Sequence, residues 1–274
     1  METTFSYDDV PYPSFTFPQT HPDRLASIAR IHGIETAMPD DCRVLELGCG
    51  DGTNLLSMAY ALPASRFVGI DLSEVHINDA KLAAETLGLV NIEFRREDVM
   101  KLKTEDLGKF DFIIAHGLYS WVPDFVRESV LDIYHDCLAP NGIGYISYNT
   151  YPGCHIRDMT RGMMRFHAKN VTDPHQKVEM GKTVLSFVTS AAESDSVYQT
   201  MLKLELEQIG ERPVQNVFHD DFADINQPFY FHEFVEQIDT KQLQYIAEAD
   251  PLSMNTVDLL PAAIKRLEDL GGDL

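Results

Sequence analysis

The sequence is poor in basic residues, with 22 lysines and arginines against 43 acidic residues and a net charge of −21. A surface this acidic repels phosphate backbones, so we expect neither DNA nor RNA as the main substrate. The charge favours neutral or cationic partners, although an acidic surface also simply keeps a protein soluble.

Long apolar runs and patterned cysteines are also missing. No stretch of about 18 apolar residues occurs, so no membrane span is expected. The first residues, Met1 to Thr4, lack the basic and apolar regions of a signal peptide. The four cysteines have neither metal-binding nor disulfide spacing, and we expect no metal site. A reducing cytoplasm is therefore the simplest location.

One glycine-rich stretch organises the chain: Val44-Leu45-Glu46-Leu47-Gly48-Cys49-Gly50-Asp51-Gly52. We predict a short buried strand that ends in a glycine turn, followed by a helix from Thr53 to Leu62. Such a turn brings backbone N–H groups close to a nucleotide-like ligand. The pattern is G-x-G-x-G rather than the dinucleotide pattern G-x-G-x-x-G. Glu46 would repel a pyrophosphate but suits a cationic ligand. Taken alone, this glycine pattern indicates a tight backbone turn and does not establish a ligand-binding site.

Four further strands are predicted, in alternation with helices: Arg66 to Asp71, Asn91 to Arg96, Phe110 to Ala115 and Gly142 to Asn149. This alternation predicts an α/β fold with a doubly wound, mostly parallel sheet. Ligands bind beyond the carboxyl ends of such strands, where Glu46, Asp71, Asp98 and His116 would lie. Asp71 follows Gly50 by 21 residues, close to the spacing of about 20 at which an acid meets ribose hydroxyls.

The motifs E-L-G-C-G-D-G, V-G-I-D-L-S and E-D-V, in this order and spacing, resemble the S-adenosylmethionine (SAM) site of class I methyltransferases. The resemblance covers roughly residues 40–151. It implies a Rossmann-like fold and a SAM-dependent methyltransferase that releases S-adenosylhomocysteine. It also implies Glu46 beside the methionine part of SAM, Asp71 on the ribose and Asp98 on the adenine amino group.

The other residues expected around the cofactor include two in the N-terminal arm, three in the glycine turn, one in the helix that follows the turn and four near the strand ends. They are Tyr12, Thr20, Gly48, Cys49, Gly50, Asn54, Leu72, Val99, His116 and Gly117. Val99 is expected to pack on the adenine ring. For His116, a hydrogen-bonded ligand contact is favoured over a role in proton transfer.

The segment after the fourth strand holds the acceptor candidates. In class I methyltransferases this segment faces the transferable methyl group, so Tyr119 and Trp121 are expected to form an acceptor wall. Aromatic faces stabilise cations by about 0.5–2 kcal/mol, which suits a sulfonium or an amine. Alternatively, Trp121 only packs against the helix predicted from Asp124 to Leu138.

An aromatic and proline-rich arm precedes the core. Prolines spaced as in residues 5–22 forbid a helix, so an extended segment is expected to cross the domain. It forms either a lid over the cofactor pocket or an arm on the back of the sheet. A helix then begins with a capping box of Thr20 and Asp23 and ends at Gly33.

After the fifth strand the chain departs from a minimal methyltransferase. We predict domains at residues 1–38 (arm and helix), 39–152 (SAM-binding core), 153–228 (helical insertion with three helices) and 229–274 (return to the sheet). A last strand is predicted from Leu243 to Glu248 and a helix from Pro261 to Leu270. With no seventh strand, we expect a truncated or shortened member whose fifth strand has an open edge that favours a homodimer.

Several stretches resemble a bacterial methyltransferase subgroup with a methyltransferase regulatory region, near the rickettsial outer-membrane-protein lysine methyltransferases. They are residues 17–26, 218–221, 229–234 and 243–251. The resemblance implies a protein lysine as acceptor, with a small molecule as the alternative. No strong general base stands out.

Two other functions were weighed against methyl transfer. An NAD-dependent oxidoreductase predicts G-x-G-x-x-G and no acid at position 46, and both predictions fail. The sequence does not exclude the other function, that of a non-catalytic SAM-binding regulatory module.

Overall fold

Five parallel strands form the centre of the fold in the computed structural model, which describes residue 10, residues 15–254 and residues 259–269. The strands are β1 (Arg43–Leu47), β2 (Arg66–Asp71), β3 (Ile92–Arg96), β4 (Phe110–Ala115) and β5 (Leu138–Ile146). Their order is β3-β2-β1-β4-β5, and all four pairings are parallel. The chain reverses its direction of winding between β1 and β4, which is the switch point of a doubly wound sheet. The predicted fold class is confirmed.

Helices connect and flank the strands. In the core they are α1 (Pro22–Ile31), α2 (Thr53–Ala61), α3 (Glu74–Thr86), α4 (Thr104–Leu107) and α5 (Asp124–Cys137). After the sheet come α6 (Cys154–His167), α7 (Pro174–Ala191), α8 (Val197–Glu211), α9 (Val214–Phe222), α10 (Phe231–Asp239) and α11 (Pro261–Asp269). Within the described ranges, no helix combines the length and apolar character that crossing a bilayer requires.

The last part of the sheet differs from the prediction. β5 begins at Leu138, directly after α5, and ends at Ile146 rather than at Asn149. The Ser147 N–H still donates to the Ala115 carbonyl of β4 at 3.1 Å, but the Asn149 N–H donates to Ser120 Oγ at 2.8 Å instead of to a strand. Beyond this point Thr150 forms a parallel bridge with Phe229.

The strand predicted from Leu243 to Glu248 is wrong. In the described structure these residues pair with no strand. Leu243 and Tyr245 pack on one apolar cluster of the core and Ile246 on the other, so their alternation reflects side-chain packing. The described residues after Pro251 form a 3₁₀ turn (Pro251–Met254) and α11, while residues 255–258 and 270–274 lie outside the description.

The hydrophobic core has three parts. One cluster includes Val44, Phe67 and Phe112, and a second includes Leu45 and Ile113, so successive β1 residues face opposite sides of the sheet. The third lies entirely within the insertion and contains Met164, Ala168, Val178, Leu185, Leu202, Ile209, Val217 and Phe222. The insertion therefore has a core of its own.

The insertion contains four helices, α6 to α9, where three were predicted. The first of them, α6, buries polar as well as apolar side chains, because Arg161 and Met164 are buried while Phe166 is 73% exposed. Arginine side chains of α6 point inward because carboxylate and carbonyl groups of α9, and of the residues after it, accept hydrogen bonds from them. Arg157 Nε donates to Asp221 at 3.0 Å, and Arg161 donates to the carbonyl of Ala223.

Candidate functional site

The glycine turn after β1 lies at the edge of the sheet where the carboxyl ends of the strands meet, which we call the carboxyl rim. Gly48, Gly50 and Gly52 have φ values of 72°, 54° and 76°, in the left-handed region that favours glycine. A side chain at Gly52 would collide with the ring of Phe94, at 2.4 Å. At Gly50 a Cβ would meet no atom within 4 Å. The backbone at Gly50 therefore faces open space, as a turn that approaches a ligand requires.

Asp71, at the end of β2, is joined to this turn. One carboxylate oxygen accepts a hydrogen bond from the Gly50 N–H at 2.9 Å, and the other accepts from the Ser73 N–H at 2.9 Å. Each carboxylate oxygen has two lone pairs, so both retain capacity to accept from a diol. The sequence thus brings Gly50 and Asp71 together as expected, although the ribose contact itself stays a prediction.

Glu46, on β1, is a buried carboxylate with one unsatisfied oxygen. Its Oε1 accepts from Asn54 Nδ2 at 2.8 Å, whereas no described residue bonds its Oε2. Burial raises the pKa of Glu46 to about 8, and the nearby charge of Asp71 adds to the rise. A cationic group beside Oε2 would satisfy the oxygen and stabilise its ionised form. The site therefore fits the amino group of SAM on its own chemistry.

The residues expected at the adenine lie further along the same rim. Asp98 Oδ1 accepts from the Met100 N–H at 3.0 Å, and its Oδ2 lies 3.5 Å from Lys101 Nζ. Leu72 is 38% exposed, and Val99 packs on the core cluster beneath it. The adenine contacts of Asp98 and Val99 stay predictions, as does a cofactor contact of Leu72.

From residue 15 onward the arm lies on the carboxyl rim, whereas the carbonyl of Val10 lies 2.5 Å from His219 Nε2 of α9. The ring of Phe17 stacks on His116 with centroids 3.6 Å apart, and its N–H donates to Asn54 Oδ1 at 3.0 Å. Asn54 Nδ2 also donates to Thr20 Oγ1 at 3.1 Å. This part of the arm therefore lies where a lid over the cofactor pocket would lie, and not on the back of the sheet. Tyr12 lies outside the described residues.

Thr20 does not cap the first helix. It is fully buried and donates to the Phe17 carbonyl at 2.8 Å, while the side chain of His21 caps α1 by accepting from the Asp23 N–H. The predicted capping box is therefore wrong. The physical reason is that Thr20 is drawn inward to Asn54, which carries the arm onto the rim.

His116 and Gly117 follow β4. Burial lowers the pKa of His116 to about 4, so the ring is neutral at physiological pH. Gln19 Nε2 lies 3.4 Å from its Nε2. The Gly117 N–H donates to Ser147 Oγ at 2.8 Å. A neutral ring under Phe17 agrees with a contact role for His116 rather than proton transfer, and a cofactor contact for either residue stays a prediction.

Cys49 contributes its backbone to the turn, while its side chain packs into the sheet. The residue is 7% exposed, and a Cβ added at Gly69 would lie 2.9 Å from its sulfur. Burial and the carboxylates of Glu46 and Asp71 raise the pKa of the thiol. Cys49 is therefore a protonated packing residue, not a nucleophile.

The predicted acceptor wall is wrong at Tyr119. Its side chain is fully buried against Phe229 and Phe234, and its hydroxyl donates to Gln237 at 2.7 Å. The 3₁₀ turn of Tyr119–Trp121 rotates the tyrosine into the core. Trp121 is half-buried, and its place in an acceptor wall stays a prediction.

Sequence reasoning missed an aromatic cluster beyond β5. His155 stacks on Tyr151 with centroids 4.1 Å apart, and its Nε2 lies 3.1 Å from Tyr230 Oη. Tyr151 Oη donates to Asp158 Oδ2 at 2.8 Å. The spacing of Tyr151 and His155 signals two side chains on one helical face, but nothing local indicates that Tyr230 joins them. Among the described residues, no three His, Cys, Asp or Glu side chains converge as metal ligands would.

Family models match most of the chain. Residues 39–208 match a model described as a methyltransferase domain, and residues 213–273 match one described as a predicted methyltransferase regulatory domain. The first model extends through α6 and α7 into α8, so it includes most of the insertion.

Two similar relatives come from Rickettsia prowazekii (strain Madrid E). Protein RP789 is 36% identical over 96% of this chain and 47% of its own length. Protein RP028 is 35% identical over 88% of this chain and 96% of its own length. The solved structure of PKMT2 from Rickettsia typhi in complex with AdoHcy is 33% identical, with a TM-score of 0.87, over 96% of this chain and 50% of that one. The chain thus spans about half the length of RP789 and PKMT2.

Proposed function

The chain belongs to the methyltransferase family and to its SAM-dependent class, and from that premise we propose that it transfers a methyl group from SAM to the side-chain amine of a protein lysine. One observation carries the cofactor part of the proposal: Oε2 of the buried Glu46 has no partner in the described structure, next to a glycine turn that faces open space. Such an oxygen needs a cationic or hydrogen-bonding partner, because an unsatisfied buried acceptor costs about 1–3 kcal/mol.

The residues of the rim would hold SAM in a fixed orientation. Glu46 would bind the amino group, Asp71 the ribose hydroxyls and Asp98 the adenine amino group, while the bare backbone at Gly50 permits close approach. When bound, SAM supplies a methyl group on a positively charged sulfur, which reacts with an uncharged nucleophile in line. The chain mainly aligns the acceptor and excludes water. Phe17 and Thr20 of the arm would cover the site from above.

Two observations support a lysine acceptor. The similar protein from Rickettsia typhi that was solved with AdoHcy is named PKMT2, and residues 17–26, 218–221, 229–234 and 243–251 of this chain resemble the rickettsial lysine methyltransferases. The net charge of −21 also favours a cationic partner such as a lysine-containing surface. We further propose that residues 153–228 help to present that acceptor, and that β5 supports a homodimer through its edge. The four free thiols are compatible with the cytoplasm as its location.

The experiment is methyl transfer from isotopically labelled SAM to candidate acceptors, followed by mass spectrometry. We expect label on lysine side chains of a protein acceptor, and none with Glu46→Gln at a SAM concentration that saturates only the wild type. Label on small molecules alone would contradict the lysine acceptor. Tight SAM binding without transfer to any acceptor would instead indicate a non-catalytic regulatory module.

A further inference from the structure

The aromatic cluster beyond β5 contains a hydrogen-bonded histidine and tyrosine that the cofactor site does not use. His155 Nε2 and Tyr230 Oη are 3.1 Å apart, and both side chains are exposed. Hydrogen bonds from their backbone N–H groups hold both residues in place. The Tyr230 N–H donates to Glu233 Oε2 at 2.8 Å at the start of α10, and the His155 N–H donates to the Pro152 carbonyl at 3.1 Å at the start of α6.

This pair lies on the carboxyl rim. Thr150 and Phe229 form a parallel bridge, and Tyr151 and Tyr230 are the residues that directly follow them. The Tyr151 N–H donates to the Phe229 carbonyl at 3.0 Å, and the Phe229 ring lies 5.7 Å from Tyr119, four residues after β4. The pair therefore lies beyond the end of β5, on the β4–β5 side of the switch point, and away from the rim residues of β2 and β3.

A lysine acceptor creates a need that the cofactor residues do not meet. An unperturbed lysine has a pKa of about 10.4, so at neutral pH its nitrogen is protonated and has no free lone pair. Glu46 and Asp71 lie at the cofactor, and His116 is buried under Phe17 with a pKa lowered to about 4. The other tyrosine of the cluster is also excluded, because burial and the Asp158 carboxylate raise the pKa of Tyr151 to about 12.

We propose that Tyr230 and His155 remove the proton from the acceptor amine, an inference that rests on the amine acceptor proposed above. The ammonium gives one proton to Tyr230 Oη while Tyr230 gives its own proton to His155 Nε2. The products are a neutral amine, a neutral tyrosine and an imidazolium, so the total charge is unchanged. The exposed imidazolium then releases its proton to water, and no further reactant is needed.

Several titratable groups lie around His155 and Tyr230. Tyr151 stacks on its ring, Asp158 accepts from that tyrosine, and His232 lies beside Tyr230 with ring centroids 5.7 Å apart. Glu233 is fixed on the Tyr230 N–H.

The test compares Tyr230→Phe and His155→Gln with the wild type, and His232→Gln serves as a matched control from the same cluster. Turnover is measured from pH 6.5 to 9.5 with poly-L-lysine and with the protein acceptor that mass spectrometry identifies. We expect both variants to lose about 100-fold or more in turnover at pH 7, the lower end of the range for general base catalysis. Their turnover should then rise about tenfold per pH unit towards the lysine pKa of about 10.4, because water must deprotonate the lysine, while the turnover of the wild type rises less steeply.

Two measurements separate this role from a structural one. SAM affinity and melting temperature should be unchanged in Tyr230→Phe, and NMR of labelled histidine should show a changed chemical shift at His155 Nε2 when the Tyr230 hydroxyl is removed. Equal turnover in wild type and both variants across the pH range would contradict the proposed role of Tyr230 and His155, but it would not contradict lysine methylation. A loss that is constant at every pH would also overturn it. Failure of every amine to accept label would overturn the proposed function and the pair with it.

Discussion

Glu46 predicts a steep dependence of SAM affinity on pH below neutrality. Its pKa of about 8 means that the carboxyl group is mostly protonated at pH 7 before the cofactor binds. A neutral acid forms no ion pair with the cofactor's amino group, so binding must first ionise Glu46. The ionised fraction is about 1% at pH 6 and about 9% at pH 7. The apparent affinity should therefore rise nearly tenfold over that unit, because only the competent fraction binds.

The assay is isothermal titration calorimetry at pH 6 and pH 7, in buffers with different ionisation enthalpies. The α-amino group of the ligand stays largely protonated in this window, since its ordinary pKa is about 7.7–8.0. We expect about 0.9 protons to be released per SAM bound at pH 7. Glu46→Gln should bind with little change between the two pH values and release almost no proton. Equal wild-type affinity at both pH values, or an unchanged slope in Glu46→Gln, would refute the reasoning.

The same pKa gives a prediction for stability without ligand. The folded-state pKa of about 8 lies above the ordinary value of 4.5, so between these values the native state binds more protons than the unfolded state. The contribution of Glu46 to stability is therefore present at low pH and is lost as pH rises towards 8. Glu46→Gln should raise the melting temperature relative to wild type at pH 8 and leave it nearly unchanged at pH 4.

Three further substitutions test other parts of the site. Asp71→Ala should weaken SAM binding by about 1–3 kcal/mol, or roughly tenfold to a hundredfold by calorimetry, and unchanged affinity would remove Asp71 from the site. Trp121→Ala should lower turnover far more than SAM affinity if this residue lines the acceptor path, whereas an equal loss of both with a falling melting temperature would make it a core residue. Phe17→Ala should raise the pKa of His116 towards its ordinary value by admitting water, as NMR titration would show, and an unchanged pKa would contradict burial of His116 by the arm.

The sheet and cofactor rim were predictable because their signals are local. The glycine turn, the acid that follows β2 and the alternation of strands with helices are each contained in a short stretch of chain. Gly48, Gly50 and Gly52 take left-handed backbone angles that few other residues adopt, and Asp71 bonds the turn directly. The sequence therefore predicted both the elements and the rim they share.

The errors arise where distant residues decide the outcome. Tyr119 is buried because Phe229 and Phe234, more than a hundred positions away, surround it. Arg157 of α6 points inward because it forms an ion pair with Asp221 of α9. The spacing of apolar residues along a helix does not indicate an ion pair with a distant residue. Hydrophobic alternation equally fails to distinguish a paired strand from the unpaired segment Leu243 to Glu248.

The separate core of the insertion has an evolutionary consequence. Met164, Val178 and Leu185 pack with one another and their neighbours in α6 to α9, and the cluster contains no residue of the five strands. Mutations there affect a packing unit that is separate from the strands whose ends carry the residues predicted to hold the cofactor. Homologues that have the same glycine turn can therefore differ in helices α6 to α9 of the insertion. Among homologues, we expect residues 153–222 to diverge faster than the rim while each protein keeps the same methyl donor.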